Sequence, residues 1–169
     1  EFGLFQQTEM ADFMAAVAKA CRAASDGKKL VVFFYGYPWE FSGHSQGPAV
    51  TGHLGLQRLL DTAAGDIDIL CSPIDYVDRG WGGVGHVMSA AETAMRHGVL
   101  WLHEDDTRTC LEPDKAANAN WGVCRTMQET QEVLRRNTAQ GILRGFGCWW
   151  MDLLGSGWFE SPDLWTEMC

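Results

Sequence analysis

The chain has 169 residues, 46% of them hydrophobic and 21% charged, which is the size and balance of one globular domain over 1–169 with a full apolar core. Its formal net charge of −9 argues against nucleic acid or an anionic membrane as partner, because phosphate recognition needs clustered Lys and Arg, and only Lys28 with Lys29 and Arg135 with Arg136 stand together. No apolar run reaches the length of a bilayer span and no secretory leader is evident, so the expected compartment is the cytoplasm.

In chain order, the spacing of Met10, Phe13, Met14, Val17 and Cys21 predicts a helix over residues 8–26, with these side chains buried, Thr8 as cap and Gly27 as terminator. Residues 30–35 form a continuous apolar run, the pattern of a strand buried on both faces. A loop rich in Gly, Pro and aromatics fills 36–48. A second helix is expected over 49–63, with Leu54, Leu56, Leu59 and Leu60 on its apolar side. Residues 67–71 read as the next strand and 72–85 as a glycine-rich loop. Ser89-Ala-Ala-Glu92 spells a capping box that opens a short helix closed by Gly98. A strand over 99–103 then drives into Glu104, Asp105 and Asp106. After a long loop, Thr126-Met-Gln-Glu129 caps a helix expected to end at Gly141. The last strand covers 147–153, ahead of a Trp-rich tail.

This alternation gives an α/β fold of four β/α units with parallel strands and helical crossovers. Every long loop follows a strand, which marks the strands' C-terminal ends as the functional face. Four such units are half of a TIM-type (β/α)₈ barrel. A doubly wound sheet is the alternative, but no G-x-G-x-x-G follows a strand, so dinucleotide binding has no support. An open parallel sheet has two unpaired edges. The expected state is therefore a homo-oligomer that completes the barrel, or a chain lacking an N-terminal half-barrel.

The six cysteines form no C-x-x-C pair, and H-x-H and H-E-x-x-H are absent, so neither a metal nor a cofactor is expected. Cys71 and Cys148 read as buried thiols, while Cys110 and Cys124 flank a loop that an oxidising compartment would let them bridge. Three consecutive carboxylates at a strand end raise one another's pKa, as an acid or nucleophile at neutral pH requires. Strand alternation puts Trp101, His103 and Asp105 on one face and Leu100, Leu102 and Glu104 on the other. If the aliphatic side meets the helices, Asp105 faces the barrel lumen; a bulge at the strand end re-aims Glu104 there instead.

A second chemistry is written in Gly43-His-Ser-Gln-Gly47, which fits the G-x-S-x-G elbow of α/β-hydrolases and makes Ser45 a candidate esterase nucleophile, with His103, His86 or His97 as base and Asp75 or Asp105 as its orienter, His103 with Asp75 being the set put first. The elbow needs a strand directly before it, whereas Tyr37 to Ser42, with Pro38, intervene.

Taken together, Gly52-His-Leu-Gly-Leu-Gln-Arg-Leu-Leu60, Asp68-Ile-Leu-Cys-Ser-Pro-Ile-Asp-Tyr76 with Arg79, Leu102-His-Glu-Asp-Asp-Thr-Arg-Thr109, and Trp149-Trp-Met-Asp152 with Gly157-Trp-Phe159 resemble the C-terminal half of a clan A glycoside hydrolase barrel, nearest to family 42 β-galactosidase-like proteins. The resemblance runs from Leu30 onward. It implies that the four strands are the barrel's fifth to eighth, and that the nucleophile is Glu104 or its neighbour Asp105. Its acid/base glutamate belongs on the fourth strand, before this chain begins, and Glu40 is a candidate replacement. The implied substrate is a β-linked carbohydrate. Arg79 and Arg108 would hold a carboxylate or sugar hydroxyls, Tyr76 would tune a carboxylate, Asp152 would bind hydroxyls, and Trp149, Trp150 and Trp158 would stack on sugar rings. A fragment that binds carbohydrate without turning it over is the further alternative.

Overall fold

A computed structural model of the chain describes residues 1–39, 51–116, 119–153 and 155–168. Helix α1 spans Phe2–Ala24, strand β1 Val32–Phe34, helix α2 Leu56–Ala63, strand β2 Ile69–Pro73, helix α3 Ala91–Arg96, strand β3 Leu100–Asp105, helix α4 Met127–Arg144, strand β4 Gly147–Trp150 and helix α5 Pro162–Met168. The four strands form one parallel sheet in the order β1-β2-β3-β4, so the expected α/β class and strand direction hold. The chain falls into two compact units. One is Glu1–Ser72 with Met88–Leu102, the other Pro73–Val87 with His103–Cys169. Among the described residues no helix is long and apolar enough to cross a membrane.

In the first unit, α1 packs on α2, and the contact corrects the predicted face. The buried positions are Gln7, Ala11, Ala15 and Ala18, while Phe13 is 63% exposed and Met10 and Cys21 also face outward. Small side chains at these spacings let the apolar side of α2, with Leu56, Leu59 and Leu60, approach closely. Backbone meets backbone there: a Cβ on Gly55 would lie 2.7 Å from the Gln7 carbonyl oxygen. Thr8 lies inside α1 and caps nothing, because the helix begins at Phe2. Strand β1 pairs with β2 in the register Val32 to Ile69 and Phe34 to Cys71. It is an edge strand, and Val32 and Phe34 are each 43% exposed rather than buried on both faces. The expected Ser89 cap is also absent. The Ser89 hydroxyl donates to the Gly36 carbonyl, and α3 starts at Ala91 without a side-chain cap.

In the second unit, Thr126 caps α4 as expected, but the return bond of the box falls one residue before the cap. The Thr126 hydroxyl accepts from the Glu129 N–H at 3.1 Å, and the Glu129 carboxylate accepts from the Arg125 N–H at 2.6 Å. Helix α4 runs past Gly141 to Arg144 and is stopped by Gly145, which takes the left-handed φ of 78° that favours glycine. Phe146 N–H then closes on the Gly141 carbonyl at 2.8 Å and feeds the chain directly into β4. Leu134, Trp158, Phe159 and Leu164 form the core of this unit, with Leu111, Met127, Trp150 and Met168 packed around it. Strand β4 ends at Trp150, short of the predicted residue 153. The Asp152 carboxylate accepts N–H groups from Ser156, Gly157 and Trp158 and coils the chain into a turn.

Candidate functional site

The acidic triplet lies where β3 runs out, and its three carboxyls have three different environments. Strand alternation separates the first two. Asp105 shares the side of Trp101 and His103, which is the packed one: its carboxylate accepts from the Asn137 side-chain amide at 2.9 Å and from the Thr107 N–H at 3.0 Å, and it is fully buried. Asn137 lies on α4, so this side of the strand end meets a helix. The aliphatic side, expected against helices, carries Leu100 and Leu102, which are exposed and half-buried, and Glu104. Asp105 is thus a support for the strand end, and Glu104 is the carboxyl on the strand's other side.

Asp106 is held in a buried ion pair by Arg79, whose guanidinium also donates from Nε to the Trp121 carbonyl at 3.1 Å. Arg79 sits 4.7 Å over the Tyr76 ring, and Tyr76 meets Trp121 edge-on at 5.7 Å. Two glycines permit this clasp. Gly122 has φ 72°, and a Cβ on it would stand 2.8 Å from the Gly80 nitrogen. Arg136 braces the same turn by donating to the carbonyls of Arg79, Gly80 and Gly83 at 2.7–2.9 Å. Arg108 lies 5.6 Å from the centre of the Trp121 ring and 5.1 Å from that of Trp158, with Glu112 3.6 Å from its Nε. Burial, and then the nearby Arg79 charge, lower the Arg108 pKa.

Glu104 differs from its neighbours. It is 5% exposed and its carboxyl makes no hydrogen bond to a described residue. Burial first and the Asp106 charge second push it up to about 7, with Arg79 pulling the other way. A carboxyl that is half protonated at neutral pH can donate a proton and take it back.

The other expected residues scatter. His103 is 1% exposed, tilts against Phe146, and neither ring nitrogen bonds a described residue. Burial, with Arg144 nearby, lowers it to about 4, so it is neutral. Asp75 accepts from the Asp78 N–H at 2.7 Å and lies 3.8 Å from His86, so His86 rather than His103 is its imidazole neighbour. Of the esterase pairings expected, His103 with Asp75 is not assembled, whereas His86 and Asp75 are neighbours. Ser45, the rest of its glycine motif and Glu40 lie outside the described residues. Trp158 is fully buried in the core and offers no face to a sugar, whereas Trp149 is partly exposed on β4. Asp152 is occupied in holding its turn. Cys110 and Cys124 carry free thiols, and burial raises Cys124 to about 11 and Cys148 to about 12.

Sequence reasoning missed Trp121, Glu112, Arg136 and Asn137. Only the position of Asn137 inside a helix, where its short amide is a poor helix former, hinted at a purpose. Among the described residues no group of three or more His, Cys, Asp or Glu gathers to hold a metal. No protein-family model, curated protein or solved structure matches this chain.

Proposed function

We propose that the chain is a glycoside hydrolase acting on β-linked sugars from a half (β/α)₈ barrel, with Glu104 as its reactive carboxyl. The observation that carries this reading is the pairing of unlike carboxyls at one strand end: Glu104 raised to about 7 and without a hydrogen bond among the described residues, beside Asp106 held in an ion pair with Arg79. Glu104 passes its proton to the glycosidic oxygen as the bond to the anomeric carbon breaks. The Asp106 charge opposes the positive charge that builds on the sugar, and Glu104 then takes a proton from the attacking water. This environment suits an acid better than the nucleophile suggested by the resemblance, since a nucleophilic carboxylate must be ionised before it attacks. Of the three tryptophans expected to stack on sugars, Trp149 is the most exposed, at 37%. Val32 and Phe34 leave apolar surface on the edge strand, which favours a second copy completing the barrel.

The test is turnover of nitrophenyl β-glycosides and nitrophenyl esters side by side, with light scattering on the same sample. Expected are glycoside cleavage that falls as pH rises through about 7, loss of at least a hundredfold in Glu104→Gln, and no effect of Ser45→Ala. Ester hydrolysis lost in Ser45→Ala, or sugar binding without turnover, overturns the reading, and a monomer in solution overturns the completed barrel.

A further inference from the structure

Away from the strand-end cluster, the second unit has a cavity of about 290 Å³ walled by Trp150, Asp152, Phe159, Glu160, Trp165 and Met168. We propose that this cavity binds a small organic cation of the alkylammonium or quaternary ammonium class. Three aromatic rings and a thioether make its walls, and both charged side chains are carboxylates; no Lys or Arg contributes. The negative faces of indole and phenyl rings attract a methylated ammonium, whose diffuse charge gives up water cheaply. Met168 adds a polarisable contact of the same kind.

The charges are placed to match. The Asp152 carboxylate is pinned by the N–H groups of Ser156, Gly157 and Trp158 at 2.7–3.0 Å, so it is a fixed negative charge at the cavity wall. Glu160 is exposed, and its carboxylate lies beside Gly157, where a Cβ would come within 3.2 Å of it. Trp165 stands on α5 and is 54% exposed, so one wall faces a ligand arriving from solvent. A neutral sugar is matched less well. Each hydroxyl both donates and accepts, yet the side-chain donors in this wall are the two indole N–H groups alone. The volume suits a head group rather than a larger ligand.

The test titrates the full chain with choline, with its uncharged isostere 3,3-dimethylbutan-1-ol and with methyl β-galactoside, following tryptophan fluorescence and the indole N–H resonances. Expected is saturable choline binding in the millimolar range that shifts the Trp150 and Trp165 indoles, with the isostere at least tenfold weaker. Trp165→Ala should weaken choline at least tenfold and Glu160→Gln several-fold at low salt. Circular dichroism confirms that each variant folds, as their exposed positions lead one to expect. Glu104→Gln should leave choline binding unchanged, which keeps this result separate from the hydrolase test. Equal binding of choline and the isostere, binding of the galactoside in preference to choline, or no binding of choline overturns the proposal.

Discussion

The side-chain amide of Asn137 donates to the Asp105 carboxylate at 2.9 Å, and both groups are out of reach of water. This bond ties the middle of α4 to the end of β3, and the same amide reaches the Thr107 hydroxyl at 3.2 Å. Replacing Asn137 by Ala leaves a buried carboxylate with one donor where it had two. The expected cost is about 2 kcal/mol, in the range for a hydrogen bond to a charged group. A urea titration should show a lower midpoint with an unchanged slope.

Arg79 and Asp106 should behave as a unit. Breaking a buried ion pair by removing one member costs about 3–5 kcal/mol, because the other charge stays behind. Arg79→Met is expected to fall in that range, and to loosen the Trp121 loop that its Nε holds. The double change Arg79→Met with Asp106→Leu should recover most of the loss. A double-mutant cycle in denaturant measures the coupling.

Stability should peak near neutral pH, and the sign follows from which form each group prefers. Glu104 is raised from 4.5 to about 7, so its contribution is full below 4.5 and is lost as pH climbs through 7. His103 and His53 are lowered from 6.5 to about 4, chiefly by burial, so theirs is full above 6.5 and is lost as pH falls towards 4. Glu104→Gln should therefore match the parent near pH 4.5 and exceed it at pH 8, by on the order of 1–3 kcal/mol. Paired denaturation curves across that range check it, since every other titration cancels in the difference.

The Thr126 cap gives a local test. Thr126→Ala removes the acceptor for the Glu129 N–H and should cost about 1 kcal/mol. The loss should be seen as earlier exchange of the amides in the first turn of α4, with the amides near Gly145 unaffected.

The sequence showed the alternation of helices and strands clearly, because strands with apolar runs and helices with capping residues carry local signals. It failed where a contact decides. Met10 and Phe13 are the larger side chains and were expected inside, yet α1 turns its alanines inward because only they allow Gly55 to come close. Ser89 had the letters of a cap and spends its hydroxyl on Gly36 instead. At the site, the order Glu104-Asp105-Asp106 was plain, but the roles were not. They depend on Asn137, Arg79 and Trp121, which are 15 to 33 positions away by number and leave no periodic trace. The aliphatic side of β3 misled for the same reason: the helix it was expected to meet bonds to Asp105 on the other side.

The two compact units are each built from two stretches of chain, which passes between them at Ser72, at Val87 and at Leu102. No single cut can therefore part the two units cleanly, and two of the three passages lie within β2 and β3. A gene split at any of these points would give halves that must find each other to regain native pairing. Permuted chains that open elsewhere, at a surface turn, would keep all three passages covalent.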